Sequence, residues 1–404
     1  MQKPIYAIAT MDSKGEEIAY VAQCIRAAGG NVVMVDVGTR DPATAVPDIS
    51  REIVAAHHPK GKGAALGHTD RGQAVTAMSE ALESFIKAEQ AFGKIGGVIG
   101  IGGSGGGALI SPALKALPVG MPKLLVSTIP GGNVASIVGC SDVTVMHSVV
   151  DVAGINRVSQ QVLANAAHAI LGMVSHPAPK FETKPTVAMT MFGVTTPCVT
   201  AVRKKLEEQG YDCLVFHATG TGGQAMEKLV ESGMISGVLD ITTTEVADEV
   251  GEGTLKAGPA RFDVILEKGI PYVMSVGAMD MINFGARESV PAKFNDRTFH
   301  VHNAQVTLMR TTAEDNRKAA RFIAAKVNRS KAPFILLLPE KGVSMIDAPG
   351  QAFYDPEADK ALFEELEKEI KQTPTRQIRR VPNNINDPEF VDAILNAFKE
   401  VSER

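Results

Sequence analysis

No dense run of lysine and arginine occurs in the 404 residues, and the formal net charge is −4. The electrostatic footprint of a nucleic-acid binder, or of a protein held on an anionic membrane, is missing, so any phosphate site has to be local. Cysteine is scarce: Cys24, Cys140, Cys198 and Cys213 are scattered without C-x-x-C spacing, which argues against a zinc knuckle and a disulfide framework and fits a reducing compartment. No apolar run reaches the roughly 18 residues that a membrane helix needs. Met1-Gln2-Lys3-Pro4 runs straight into the strand-like Ile5 to Ala9, leaving no room for a signal segment. The expectation is a cytoplasmic protein with no nucleic-acid and no membrane partner.

What is present is an ordinary globular composition, 45% apolar and 21% charged, on a chain longer than one hydrophobic core usually organises. Short apolar runs alternate with helical patterns, as in βαβ units. Residues 5–9 and 32–35 read as strands around a helix that stops at Gly29-Gly30, where glycine tolerates the left-handed turn. A long excursion over 39–72, with one short helix near 50–56, leads to a helix over 73–92 and a strand at 97–101. Further helices are expected over 108–117 and 156–173, and further strands at 123–127 and 143–146. The proline-bearing Ser175-His176-Pro177-Ala178-Pro179-Lys180 reads as an interdomain connection. Beyond it, a shift of 180 positions matches Thr10 with Thr190, Met11 with Met191, Gly30 with Gly210, Val35 with Val215 and Thr39 with Thr219. Strands at 187–190, 213–216, 237–241, 271–274 and 334–338 complete an expected α/β protein. Its fold class is two Rossmann-like domains, 1–178 and 184–404, with mainly parallel sheets and a ligand cleft between them.

The most informative feature is the loop Gly102-Gly103-Ser104-Gly105-Gly106-Gly107. Glycine lets backbone amides approach an anion closely, and the helix that follows adds its positive N-terminal dipole. No Lys-Ser/Thr pair follows, so this is not a Walker A loop. Gly100 to Gly105 satisfies G-x-G-x-x-G, yet no acid lies about 20 residues on to grip a dinucleotide ribose. The phosphates of a nucleotide such as ATP are the expected ligand. Asp12 and Lys14, in the turn after the first strand, and Asp36, Gly38 and Thr39, after the second, are placed beside the loop as further cofactor contacts. Asp36 reads alternatively as an aspartate bonded to loop amides, and Ser13-x-x-Glu16 also fits a capping box.

The second half carries another polar, glycine-bearing loop before a helix, His217-Ala218-Thr219-Gly220-Thr221-Gly222-Gly223. Thr219, Gly220, Thr221, Gly222 and Gly223 are expected to hold a second anionic group by the same amide and dipole logic. His217 is a candidate acid or base, since histidine is the side-chain type that ordinarily changes charge near neutrality, or else a simply satisfied histidine. Glu245, Asp248, Glu249 and Glu252 share one helical face and could hold Mg²⁺, serve as a base, or complement the helix dipole. His217 and Glu245 are the catalytic candidates. No metal ligands are assigned: His300-Val301-His302 puts two imidazoles on one side of a strand without a third evident ligand.

Taken together, the strings Met11 to Glu17, Gly102 to Gly106, Ser148 to Arg157, His217 to Gly223, Thr242 to Glu249, Asn303 to Thr312 and Asn386 to Phe390 resemble the ATP-binding domain family of the tomato mosaic virus resistance protein. The likeness covers essentially the whole chain. It implies two α/β domains that bind ATP, with Mg²⁺ as the accompanying ion, and it implies no particular reaction. The expected function is nucleotide binding coupled to a reaction of an unidentified small-molecule substrate in the interdomain cleft. The alternative is a non-catalytic, nucleotide-gated binding or regulatory module with a protein partner. A homo-oligomer is expected in either case.

Overall fold

Residues buried on both faces of a parallel sheet read as unbroken apolar runs. Ile5–Ala9 and Phe334–Pro339 are such runs, buried at every position. The computed structural model describes residues 3–129, 134–179 and 184–403. It divides into two units, Met1–Phe181 and Glu182–Arg404. Lys180, at the end of the expected connection, and residues 181–183 lie outside the described residues.

The first unit runs β1 (Ile5–Ala9), α1 (Met11–Ala27), β2 (Val32–Asp36), α2 (Arg51–Ala55), α3 (Lys62–Ala65), α4 (Arg71–Ala91), β3 (Gly97–Gly102), α5 (Ser104–Ala116), β4 (Lys123–Ser127), α6 (Ala135–Val138), β5 (Thr144–His147) and α7 (Arg157–Ser175). Its five strands are parallel in the order β2-β1-β3-β4-β5. That order reverses direction between β1 and β3, and open α/β sheets present ligands at the carboxyl ends of the strands flanking such a reversal.

The second unit repeats the plan with β6 (Thr186–Met191), α8 (Thr196–Glu208), β7 (Asp212–His217), α9 (Thr221–Glu231), β8 (Gly237–Thr242), α10 (Thr244–Gly251), α11 (Asp263–Lys268) and β9 (Tyr272–Gly277). After β10 (Met281–Phe284), β11 (Phe299–Asn303) and β12 (Val306–Arg310) come α12 (Ala313–Val327), β13 (Phe334–Pro339), α13 (Pro356–Glu369), β14 (Arg376–Val381) and α14 (Pro388–Ser402). The parallel sheet has the order β14-β13-β9-β8-β6-β7. The fold is thus α/β with two Rossmann-like units and mainly parallel sheets. The sequence reading did not anticipate the separate antiparallel sheet β10-β12-β11.

Two local expectations are corrected. Ser13 and Glu16 form no capping box, because α1 already starts at Met11 and the Ser13 hydroxyl donates to the Thr10 carbonyl oxygen at 3.3 Å. The helix after the glycine loop begins at Ser104 rather than at 108, with Gly107 N donating to the Gly103 carbonyl oxygen at 2.7 Å to close its first turn.

Candidate functional site

At the reversal point of the first unit, three loops meet. A cavity of about 410 Å³ is lined by Thr10, Asp12 and Ser13 after β1, by Thr39, Arg40, Asp41, Pro42 and Thr44 after β2, and by Gly105 and Gly106 after β3, with Arg71 and Val75 of α4 alongside. Of the expected cofactor contacts, Asp12, Thr39, Gly105 and Gly106 come together here. Lys14, Asp36, Gly38, Gly102, Gly103, Ser104 and Gly107 do not line the cavity.

Asp36 and Asp12 shape the loop. Asp36 Oδ1 accepts from Met11 N (3.0 Å) and Gly38 N (2.7 Å), so the buried carboxylate holds two turns together. Burial pushes its pKa up, while those two amides pull it back down. Asp12 Oδ2 accepts from Thr39 N (3.1 Å) and Arg40 N (2.9 Å). Lys14 sits at a kink in α1 with φ −133° and ψ 21°.

The glycines of the loop differ in what demands them. A Cβ on Gly102 would lie 2.6 Å from the Gly106 carbonyl carbon, so packing of β3 against α5 requires glycine there. Cβ atoms on Gly105, Gly106 and Gly107 would find their nearest neighbours at 3.7, 3.7 and 3.6 Å, which is ordinary contact. No side chain caps α5, and among the described residues the amides of Ser104, Gly105 and Gly106 have no hydrogen-bond partner. Arg71 was not singled out from the sequence. Its guanidinium stands beside Gly105 without a hydrogen bond or ion pair among the described residues. No G-x-S-x-G nucleophile elbow is expected from the sequence, yet Gly102 to Gly106 does satisfy that spacing. Ser104 lies inside the helix without a positive φ, and no histidine lines the cavity, so the turn is not a nucleophile elbow.

The glycine loop of the second unit is built differently. Glu245 Oε1 accepts from Gly220 N (2.7 Å) and Gly223 N (3.0 Å), placing a carboxylate of the chain itself where an external anion was expected. Its Oε2 meets Arg261 Nε at 2.9 Å. Arg261, fully buried, also reaches Glu227 (2.8 Å) and Asp240 (2.8 Å), and Asp240 accepts from Tyr272 and Thr190. Burial raises the pKa of Glu245 and Arg261 lowers it again. Packing demands these glycines: Gly220 has φ +82°, a Cβ on Gly222 would strike the His217 carbonyl oxygen, and one on Gly223 would strike Glu245. Thr221 opens α9.

The acidic helical face does not converge on an ion. Asp248 accepts from Leu255 N, Asn283 N and Asn283 Nδ2, and Glu252 pairs with Lys293. Among the described residues no group of three His, Cys, Asp or Glu side chains could hold a metal.

His217 and Thr219 instead line a cavity of about 530 Å³ together with His300 and His302 of β11. Its walls are otherwise chiefly apolar, from Phe192 and Val194 after β6 to Val306 and Leu308 of β12 and Met345 and Ile346 after β13. The His217 ring meets Phe192 edge-on at 5.2 Å.

Fold and site together define a two-unit α/β protein with an open, amide-lined strand-to-helix turn at the reversal point of its first sheet. The chain belongs to the uncharacterised protein family UPF0261, whose N-terminal domain model matches residues 3–179 and whose C-terminal domain model matches 184–402. A UPF0261 protein of Rhizobium meliloti is 51% identical over 400 residues, 99% of each chain. The ToMV resistance protein Tm-1 of Solanum lycopersicum is 44% identical over 421 residues, covering 98% of this chain and 56% of that longer protein. Among solved structures, the UDP-GlcNAc 2-epimerase of Methanocaldococcus jannaschii aligns over 100% of this chain and 93% of its own at 7% identity. Its TM-score of 0.21 is too low to carry a conclusion about fold or activity.

Proposed function

We propose that the first unit binds a nucleotide, ATP accompanied by Mg²⁺, with its phosphates on the amides of Ser104, Gly105 and Gly106. The observation that carries this reading is the run Gly105 to Gly107 in the first turn of α5. Glycine costs a helix interior about 1 kcal/mol per residue relative to alanine, and packing leaves room for side chains at all three positions. A ligand pressed against the backbone supplies the missing reason for glycine. Arg71 and Arg40 offer counter-charge, Thr10 and Ser13 offer hydroxyls, and Val75 and Pro42 offer an apolar edge for the rest of the nucleotide.

Mg²⁺ keeps several waters and takes one or two carboxylates plus substrate phosphates. Two carboxylates line the cavity: Asp41 pairs with Arg51, whereas Asp12 has its Oδ2 engaged by loop amides and its Oδ1 is the oxygen we assign to an ion that arrives with the phosphates. A cytoplasmic setting, where ATP is abundant, suits this reading.

A second reading, a nucleotide-gated module without turnover, is favoured by one observation. Glu245, the expected base, is already committed to Arg261 and to two backbone amides. Isothermal calorimetry of the full chain with ATP-Mg²⁺, ADP and GTP tests the common part of both readings. Micromolar-to-millimolar binding is expected, and absence of heat with all three nucleotides, together with an unmoved melting temperature, would sink it. Metabolite-stimulated ATP consumption then separates enzyme from module.

A further inference from the structure

The cavity of the second unit combines features that nothing in the nucleotide reading uses. Its volume of about 530 Å³ falls in the range of small-molecule sites. Beneath it lies a cluster of buried Ala278, Met281, Leu308 and Phe353, with Phe192, Val194, Val306 and Ile346 packed against it. The wall is therefore a finished apolar surface continuous with the core, lying after the parallel strands β6, β7 and β13 and beside the antiparallel hairpin β11-β12.

Three imidazoles interrupt that wall. His300 and His302 of β11, the latter at a register irregularity between Val301 and Asn303, both line the cavity, and His217 ends β7 in the other sheet. Among the described residues none of the three rings makes a hydrogen bond or ion pair. Phe192 and Phe353 meet His217 and His300 edge-on, at 5.2 and 6.2 Å, and steady them without using their nitrogens. Among the described residues no carboxylate, lysine or arginine lines the cavity, so a cationic head would find no counter-charge from them. Among the described residues these imidazoles form no group of three that could hold a metal ion. Donors at the rim of an apolar hollow suit an anion attached to an apolar body.

We propose that this cavity binds a small carboxylic acid with an apolar body, the carboxylate held at the rim by His217, His300 and His302 and the body against Val194, Val306 and Leu308. The site lies wholly within the second unit and stands or falls separately from the nucleotide site.

The test uses the full-length chain and three probes of one shape: phenylacetate, 2-phenylethanol and phenethylamine. Binding is followed by calorimetry and by the imidazole Cε1 proton resonances. Phenylacetate should bind at least 10-fold more tightly than 2-phenylethanol and shift three histidine resonances, and phenethylamine should bind least. His302→Ala, at an exposed strand position, should weaken phenylacetate at least 10-fold and leave 2-phenylethanol unchanged. Equal affinity for all three probes would make the cavity an apolar hollow without head-group recognition and overturn the proposal. So would no binding of phenylacetate at 10 mM, or a His302→Ala variant that folds and binds it normally. Nucleotide calorimetry on the same sample reports on the first unit alone, so the two failures are distinguishable.

Discussion

Gly102 and Gly105 lie on either side of the same turn and are glycine for different reasons. A side chain at Gly102 runs into the α5 backbone, and one at Gly105 meets only open space and the Arg71 guanidinium. Gly102→Ala should therefore lower stability by about 1–3 kcal/mol, the usual cost of overpacking, as read by chemical denaturation. Gly105→Val should leave the melting temperature unchanged or slightly raised, since valine is the better helix former, while weakening ATP at least 10-fold in calorimetry. Arg71→Ala should act like Gly105→Val, because this exposed side chain makes no hydrogen bond or ion pair among the described residues yet borders the cavity. Normal ATP affinity in both variants would remove the phosphates from this turn.

At the scale of elements, Arg261 is the tie of the second unit. It joins α9 through Glu227, β8 through Asp240 and α10 through Glu245. Breaking a buried pair by removing one partner typically costs about 3–5 kcal/mol, because the remaining charge is left buried without compensation. Three carboxylates lose their cation in Arg261→Met, so a loss of at least that size is expected in the unfolding of this unit. An unchanged melting temperature would show that the carboxylates rearrange or protonate at no cost.

The central parallel strands were legible because double burial writes them as apolar runs, as at Leu336 to Leu338, whereas the half-buried edge strand β14, Arg376–Val381, carries three arginines and was not expected. The antiparallel strands β10, β11 and β12 were not legible either: β10 reaches its partner β12 across a long connection, and the two-residue turn Ala304-Gln305 between β11 and β12 carries none of the glycine or asparagine residues that mark a tight hairpin in a sequence. The glycine loop was legible as a loop, but its helical course was hidden by the poor helix propensity of glycine. Arg71 beside Gly105 is set by packing of α4 on α5, seen in the Ser79 hydroxyl donating to the Leu109 carbonyl oxygen at 2.8 Å, and such a long-range contact leaves no local signal. The same holds for His217 and His300, which come from different sheets.

On the scale of the whole molecule, buried carboxylates make stability depend on pH. Asp280, Asp347 and Asp359 surround Arg310, three acids to one guanidinium. Burial, and after it the Asp347 charge, pushes Asp280 up to about 7 and Asp359 up to about 9. Asp280 Oδ2 accepts from the Ser344 hydroxyl while Oδ1 has no hydrogen-bond partner among the described residues, which is where a proton sits without disturbing a bond. A raised folded-state pKa stabilises the fold fully below the unfolded value of about 4 and loses that contribution as pH rises through the folded value. Stability should thus fall from about pH 4 to about pH 7 as Asp280 ionises, and on to about pH 9 with Asp359. Asp280→Asn, neutral throughout, should gain on the natural chain by at least about 1 kcal/mol over that interval. Parallel stability profiles for the two proteins would rule out titration of Asp280.

The two glycine loops make opposite claims on an added nucleotide, and the most direct test follows backbone amides residue by residue. In a deuterated sample of the full chain, transverse-relaxation-optimised NMR spectra are recorded during titration with ATP-Mg²⁺. The amides of Ser104, Gly105 and Gly106 should move most, because phosphate oxygens become their acceptors. Gly220 and Gly223 should stay in place, because Glu245 already occupies them. Shifts confined to Gly220 and Gly223, or saturating ATP binding that leaves Ser104 to Gly106 untouched, would contradict the account.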